Sequence, residues 1–172
     1  MARWHRLITA TPADVWAVLG DGSLYARWVV GTQDTWERDE AWPALGSELG
    51  YTVKLGPWTM KGRTISRLCE PEKRLELEAV NPLGSARIGL RTLRWGDDCL
   101  VLVDEHPLRG PATPLHNTAL DALVRWRNRH MLARLDRAVK ERAEQAGQTE
   151  GSAHTAGAGW AGTSAGTSHG HP

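Results

Sequence analysis

The sequence contains no phenylalanine, only two cysteines and no long apolar run. Without Phe, the nine Trp and two Tyr must supply the aromatic side chains of the core, and each buried indole N–H then needs an acceptor. Cys69 and Cys99 lie on apolar, strand-like segments and predict neither a disulfide framework nor a zinc site, which fits a cytoplasmic location. No run approaches the roughly 18 apolar residues of a membrane-spanning helix, and no signal-peptide pattern follows Met1.

Charge of one sign is also lacking, because the formal net charge is only +1. The arginines near the C-terminus are interleaved with Asp121, Asp136, Glu141 and Glu144, a pattern typical of a solvated face that pairs with itself. Gly20-Asp21-Gly22 follows a predicted helix, so it is a turn and not a phosphate-binding loop. We therefore expect no nucleic-acid partner, no metal and no cofactor, and the oligomeric state stays open.

The composition divides the 172 residues into a domain, residues 1–146, and a tail, residues 147–172. A chain of about 150 ordered residues is long enough for one real core. The tail is rich in Gly, Ala, Ser and Thr and carries few charges, so we expect it to be disordered. His154, His169 and His171 could bind a stray metal, but a disordered natural tail explains them better.

The longest predicted element is a C-terminal helix from Leu115 to Gln145, because no Pro or Gly interrupts this stretch and Gly147 follows it. At about 1.5 Å per residue, such a helix spans roughly 45 Å. Arg125, Arg129 and Asp136 fall on its polar face. Its apolar residues at helical spacing are Leu120, Leu123, Val124, Met131, Leu135, Ala138 and Val139.

The rest of the domain reads as one strand, two short helices and six further strands. Trp4–Ala10 is the first strand, and Thr11-Pro12-Ala13-Asp14 then predicts a capped helix start. This helix ends at Gly20, and a second helical turn covers Leu24–Trp28. The six predicted strands are Val29–Arg38, Leu49–Leu55, Thr59–Cys69, Arg74–Val80, Ala86–Trp95 and Cys99–Glu105.

Alternation within these strands predicts a sheet with one buried face. Leu75, Leu77 and Ala79 fall on one side, while Glu76 and Glu78 fall on the other. The connections between strands are short and rich in turn-forming residues, which favours antiparallel neighbours. The predicted fold class is therefore α+β, with a long helix against an antiparallel sheet.

The order of elements and four short motifs resemble a known superfamily. The motifs are Thr11-Pro12-Ala13-Asp14-Val15-Trp16, Trp28-Val29-Val30-Gly31, Glu70-Pro71-Glu72-Lys73-Arg74-Leu75 and Arg125-Trp126-Arg127-Asn128. Together they look like the SRPBCC or START-like superfamily, in its polyketide cyclase/dehydrase and lipid-transport branch. The resemblance covers about Arg3 to Ala146.

This resemblance implies a helix-grip fold. In that fold a seven-stranded antiparallel curved sheet, with two short helices after strand one, closes around a long C-terminal helix and encloses a mostly apolar cavity. Family members carry lipids, sterols or polyketides, bind hormones, or cyclise and dehydrate aromatic polyketide chains. No catalytic signature of the cyclases maps onto this sequence, so the resemblance assigns no catalytic residue.

One residue, Arg127, breaks the apolar face of the long helix. A long arginine could snorkel to the edge of the helix, or its charge could lie in a ligand cavity. An unpaired buried charge is too costly to persist, so the guanidinium needs water, a ligand anion or a carboxylate. The acids on predicted strands that could reach it are Asp34, Asp104 and Glu105.

We expect a pocket between the long helix and the concave sheet, with Arg127 as its polar anchor. Its ligand would be largely apolar with one acidic or carbonyl group, because guanidinium binds such oxygens in a fork. The other predicted ligand-binding residues are Trp36, Tyr51, Met60, Leu77, Ile88, His106, Leu123 and Val124.

Two functions from different classes follow from the sequence. The first is a carrier or sensor that encloses a hydrophobic, lipid- or polyketide-like small molecule. The second is a polyketide cyclase or dehydratase, for which Asp104, Glu105, His106, His116 and His130 are the candidate acid–base groups. An interaction module that uses the basic face of the helix is a weaker third reading. The scarcity of convincing inward acid–base groups favours binding.

Overall fold

The protein was analysed as a computed structural model that describes residues 2–37, 39–55, 57–109 and 118–157. The element order is one strand, two short helices, six strands and one long helix, as predicted. The strands are β1 (Ala2–Ile8), β2 (Thr32–Glu37), β3 (Glu48–Leu55), β4 (Trp58–Glu70), β5 (Arg74–Asn81), β6 (Gly84–Trp95) and β7 (Asp98–Arg109). The helices are α1 (Pro12–Leu19), α2 (Tyr25–Trp28) and α3 (Thr118–Gly157), and a 3-10 turn (Gly22–Leu24) precedes α2.

The seven strands form one curved antiparallel sheet in the order β1-β7-β6-β5-β4-β3-β2. Every consecutive pair from β2 to β7 is a neighbour, because the connections are too short for crossovers. Only β1 is remote in sequence from its partner β7, so β1 and β2 form the two edges. The concave face carries the buried alternation of Leu49, Leu75, Leu77, Ile88 and Leu90, which confirms the predicted α+β helix-grip fold.

The α1 helix begins as its sequence predicts. The Thr11 hydroxyl accepts the backbone N–H of Asp14 at 3.3 Å, and the Asp14 carboxylate accepts the backbone N–H of Thr11 at 3.0 Å. This reciprocal pair is a capping box that satisfies two otherwise orphaned donors. Val15 and Leu19 then project into the core, so the cap fixes the place where α1 packs.

The α3 helix continues further than predicted. Leu115 lies outside the described residues, and the predicted stop before Gly147 is wrong, since the helix runs to Gly157. A glycine inside a helix costs only about 1 kcal/mol relative to alanine, and the neighbouring Ala146 and Gln148 favour helix. Residues 141–148 are all exposed, so this part of the helix projects into solvent. The predicted division into a domain and a disordered tail stays a prediction, and residues 158–172 lie outside the described residues.

The buried face of α3 includes a charged residue that the sequence placed on the polar face. Asp136 is only 6% exposed, and its Oδ2 accepts hydrogen bonds from Arg6 of β1 at 2.8 and 3.1 Å. The Lys140 ammonium lies 3.2 Å from Oδ1. The prediction failed because helical periodicity identifies only one buried face of a helix. The α3 helix also packs against the edge strand β1, which buries Asp136.

Tryptophan contributes less to the core than the absence of Phe suggests. Trp28 and Trp42 are buried and pack against Tyr25. Their ring centroids lie 5.2 and 6.3 Å from the centroid of the Tyr25 ring. Their indole nitrogens have no hydrogen-bond acceptor in the described part of the chain, contrary to expectation. Trp58 and Trp126 are more than half exposed. The two tyrosines therefore provide much of the buried aromatic packing.

Both cysteines are free, Cys99 being buried and Cys69 half-buried. Burial raises the pKa of each thiol, which disfavours the reactive thiolate. Across the described ranges, no helix is both long and apolar enough to cross a membrane.

Candidate ligand-binding cavity

A cavity of about 310 Å³ lies between α3, the segment after α2 and the concave face of the sheet. This volume is at the lower end of the range of about 300–1,000 Å³ found for small-molecule sites. Leu83, Pro107 and Arg109 are exposed and mark its mouth, beside the turn between β5 and β6. The lining residues are Tyr25, Val29, Val30, Thr32, Tyr51, Val53, Met60, Ala79, Asn81, Leu83, Gly84, Ser85, Ala86, Glu105, Pro107, Arg109 and Arg127.

The polar centre of the cavity is an ion pair between α3 and β7. The Arg127 guanidinium Nη1 donates to Oε1 of Glu105. The Glu105 side chain is 8% exposed, while that of Arg127 is 28% exposed. Glu105 alternates with Val101 and Val103 on the inner face of β7, which directs its carboxylate toward the helix. Of the partners expected for Arg127, namely water, a ligand anion or a carboxylate, the structure shows a carboxylate, and Glu105 is one of the three acids named for this role.

Two buried oxygens at the cavity remain without a partner. Glu105 Oε2 and Ser85 Oγ are both inaccessible to solvent and make no hydrogen bond within the described residues. Both residues line the cavity. A buried acceptor left unsatisfied costs about 1–3 kcal/mol, and more when it is charged. Glu105 therefore keeps one carboxylate oxygen unpaired, at a residue that lines the cavity.

Tyr25 and Tyr51 form an aromatic wall of the cavity, with ring centroids 6.4 Å apart. The Tyr25 hydroxyl lies 2.8 Å from the hydroxyl of Thr64, and the Asn81 amide donates to the Tyr51 hydroxyl at 3.4 Å. Gly62 lies opposite Tyr51 on β4, and a Cβ there would come within 2.6 Å of the Tyr51 hydroxyl oxygen. The absence of a side chain at Gly62 therefore leaves the space that the Tyr51 ring occupies.

Burial moves the titration of both phenols further from neutral pH, where an ordinary phenol of pKa about 10 is already protonated. It raises the pKa of Tyr25 to about 12, although the hydrogen bond with Thr64 acts in the opposite direction. Burial also raises the pKa of Tyr51, against the hydrogen bond from Asn81 and the nearby positive charge of Arg127. The wall is thus neutral and mainly apolar, with hydroxyl groups already engaged.

The structure brings three of the predicted ligand-binding residues to the cavity, namely Arg127, Tyr51 and Met60. Leu77 and Ile88 are at most 1% exposed and belong to the packed core, so they do not line it. Val124 is half-buried on α3 and is not part of the lining. The side chain of Leu123 lies outside the described residues. Whether the lining residues bind a ligand stays a prediction.

Trp36 and His106 lie on the convex face of the sheet, contrary to expectation. A register shift between Thr32 and Asp34 in β2 changes the alternation of that strand. Trp36 therefore stands opposite Gly50, with the Lys61 ammonium 5.8 Å from its ring centroid. His106 lies two residues from Asp104 on the outer face of β7, with its Nε2 3.8 Å from Oδ2 of that aspartate.

Several lining residues were missed by the sequence analysis. Tyr25 belongs to a helix of four residues, which is too short to show an apolar periodicity. Asn81 and Gly84 were assigned only to a turn, and Val29 and Val30 to a strand, whereas they precede β2. Helical periodicity could not predict these contacts, because turns at one end of the sheet, and not a helix face, close the cavity.

No group of three or more potential metal-ligating side chains occurs in the portion of the chain that the structure describes. The described lining contains one carboxylate, Glu105, and no histidine or cysteine. This set of side chains is suited to enclosing an organic molecule.

No family model and no curated protein matches the sequence. Solved structures nevertheless match most of the chain. A START superfamily protein from Mycobacterium smegmatis superposes with a TM-score of 0.67 at 13% identity, over 81% of this chain and 96% of that protein. Zhui aromatase/cyclase from Streptomyces sp. R1128 superposes with a TM-score of 0.61 at 14% identity, over 82% of this chain and 93% of the enzyme.

A third similar structure is DynU16, a protein of the dynemicin biosynthetic locus. It superposes with a TM-score of 0.60 at 18% identity, over 81% of this chain and 46% of DynU16. At these identities the likeness shows the fold alone. The chain has the START-like, or SRPBCC, helix-grip fold that its motifs suggest.

Proposed function

We propose that this protein is a cytoplasmic carrier or sensor that encloses a largely apolar small molecule, lipid- or polyketide-like, in the cavity beneath α3. The observation that carries the proposal is the unpaired and buried carboxylate oxygen of Glu105, a residue that lines an otherwise mainly apolar cavity. A folded protein keeps a buried polar atom without a partner where strain, water or a ligand explains it. A bound molecule would explain it here.

The same atom defines the polar group of the ligand. The sequence alone suggested an acidic or carbonyl group for Arg127, but the charge of Arg127 is already matched by that of Glu105. Besides Ser85 Oγ, the unpaired buried side-chain oxygen among the described lining residues is that of a carboxylate, which accepts hydrogen bonds and repels another anion. The cavity therefore selects a ligand with a hydroxyl or amine hydrogen, such as a phenol or an aliphatic alcohol, on an apolar body.

Binding is better supported than the alternative, a polyketide cyclase or dehydratase. Of the candidate acid–base groups, His106 lies on the convex face and His116 lies outside the described residues. His130 is exposed and stacks on Trp126, with ring centroids 4.4 Å apart. Glu105 is engaged with Arg127, and the raised pKa values of the two tyrosines keep them neutral. This arrangement supports holding a molecule more than moving its protons.

The proposal is tested with two ligands of nearly equal shape, naphthol and methoxynaphthalene, by isothermal titration calorimetry. Naphthol carries the donor that Glu105 Oε2 lacks, and the ether does not. A hydrogen bond to a charged group contributes about 1.5–3 kcal/mol, so naphthol should bind at least roughly tenfold more tightly. No binding of either compound, or equal affinity for both, would contradict the proposal.

A matched variant assigns the preference to the pair. Replacing both partners, Glu105→Leu with Arg127→Met, removes the acceptor and its counter-charge from the cavity. We expect this variant to bind the two compounds with similar affinity. The control is Glu78→Leu with Arg67→Met, which removes the exposed pair on the convex face and should keep the preference for naphthol.

A further inference from the structure

The convex face of the sheet carries a groove of about 760 Å³ at the same end as the cavity mouth. Its apolar side chains include Ile65, which is only 8% exposed although it points away from the core. Its charged residues are Arg63, Arg67, Arg109 and Glu78, which leave a local charge of plus two. The groove thus combines a few apolar side chains with a net positive charge.

The groove adjoins the cavity mouth. The two share Asn81, Gly84, Ser85 and Arg109 in their linings. Glu105 and Arg109 lie four residues apart on β7, which is roughly 13 Å along a strand at about 3.3 Å per residue. A molecule with its donor at Glu105 could therefore reach Arg109 and the groove with its other end.

The arginines of the groove are held only weakly by their present partners. Arg63 lies 3.7 Å from Glu48, and the two side chains are 50% and 32% exposed. Arg67 donates its Nε–H to Glu78 at 2.7 Å, and the two side chains are 43% and 20% exposed. The exposed Arg63 pair contributes about 0–1 kcal/mol. Arginine carries five N–H donors, so both guanidinium groups keep donors available to another anion. Arg109 makes no ion pair in the described part of the chain.

We propose that this basic groove binds an anionic group, a phosphate or carboxylate, at the far end of the molecule whose apolar part occupies the cavity. The inference rests on the proposed function and extends it, since the ligand class becomes an elongated amphipathic anion with a donor at its buried end. Arginine suits this task because its planar fork binds two oxygens of one anion.

The test compares two naphthols that carry a six-carbon chain on the ring opposite the hydroxyl, one ending in a hydroxyl and one in a phosphate. The intact protein should bind the phosphate compound roughly tenfold more tightly, and added salt should reduce this advantage. Arg63→Gln with Arg67→Gln should abolish the advantage, so that the ratio of the two affinities falls to about one. The matched control, Arg91→Gln with Arg94→Gln, changes two exposed arginines of β6 outside the groove and should keep the advantage.

Each other outcome has a distinct meaning. Equal binding of the two compounds by the intact protein, or an advantage that survives in the groove variant, overturns the inference and leaves the proposed function standing. Inorganic phosphate that binds as tightly as the tethered phosphate would indicate an independent anion site and also overturns it. Failure of both compounds to bind the intact protein would instead contradict the proposed function itself.

Discussion

Glu105 and Arg127 differ in how much each depends on the other. Arg127 is partly exposed and can be solvated from the cavity mouth, whereas the Glu105 side chain is 8% exposed. Removing the arginine therefore leaves a buried carboxylate without a counter-charge, which is far costlier than losing an exposed pair. The free-energy cost of breaking the pair therefore comes from the desolvated charge of Glu105 and not from lost packing of carbon atoms.

This asymmetry predicts opposite results for single and double substitutions. Arg127→Met should lower the free energy of unfolding by about 3 kcal/mol, because breaking a buried pair strands one charge. Glu105→Leu with Arg127→Met should restore stability to within about 1 kcal/mol of the parent, since replacing both partners with apolar groups is often neutral. Urea unfolding of the three proteins measures both values. A single variant as stable as the parent would mean that Glu105 is not desolvated.

Tyr25 makes stability depend on pH in the alkaline range. Below pH 10 its phenol is protonated in the folded and unfolded chains alike. Between pH 10 and about 12 the unfolded chain loses the proton while the folded chain keeps it, because burial raises the pKa of Tyr25 to about 12. The free energy of unfolding should therefore fall as pH rises through this window, by about 3 kcal/mol for a shift of two units.

The matched variant for this effect is Tyr25→Phe. It loses the hydrogen bond to Thr64 at every pH and so starts from a lower stability. Above pH 10 it should fall less steeply than the parent, and the two curves should converge. Tyr51, whose pKa burial also raises, is present in both proteins and cancels in the difference. Curves that stay parallel from pH 9 to 12 would show that the Tyr25 phenol is not desolvated.

Single residues of the site were predictable only where they broke a pattern. Arg127 could be found because a charge interrupts the apolar face of a long helix, whereas Glu105 was one of three acids on predicted strands that could reach it. Tyr25 carries no such signal, since its helix is a single turn. Trp36 was misplaced because the register shift in β2 reverses the face that simple alternation predicts.

At the scale of elements, α3 is fixed to the sheet by its polar contacts as well as its apolar face. Met131, Leu132, Leu135 and Val139 are at most 1% exposed and supply the apolar contact. Asp136 adds a bridge from the helix to Arg6 on the edge strand β1. This bridge holds α3 to the strand that lies furthest in sequence from the rest of the sheet.

Two carboxylates of α3 provide a matched comparison of this bridge. Asp136→Ala should lower the free energy of unfolding by about 1–2 kcal/mol, because its buried side chain accepts hydrogen bonds from a charged group. Glu141→Ala removes a pair with Arg27 at 3.3 Å in which both side chains are more than half exposed, and it should change stability by less than about 0.5 kcal/mol. Thermal unfolding of both variants measures the contrast. Equal effects would mean that Asp136 does not connect α3 with β1.

At the scale of the whole molecule, the order of elements carried most of the information. Strand spacing, the capped start at Thr11 and the uninterrupted C-terminal stretch sufficed for the α+β class, since these are local signals. The START-like arrangement, with a cavity between the helix and the concave sheet, was implied by the family resemblance. The mouth of the cavity was not predictable, because it is formed by turns such as Asn81–Gly84 and by the end of β7. The sheet register, which the sequence does not reveal, brings these segments together.

The central claim is that the cavity encloses an apolar body and satisfies Glu105 with its donor. Methionine methyl groups provide the most direct measurement, because Met60 lines the cavity whereas Met131 is 1% exposed in the core and does not. In protein labelled with carbon-13 at the methionine methyls, naphthol should give nuclear Overhauser contacts to Met60 and none to Met131. Saturable binding without a contact to Met60 would place the ligand elsewhere and contradict the account.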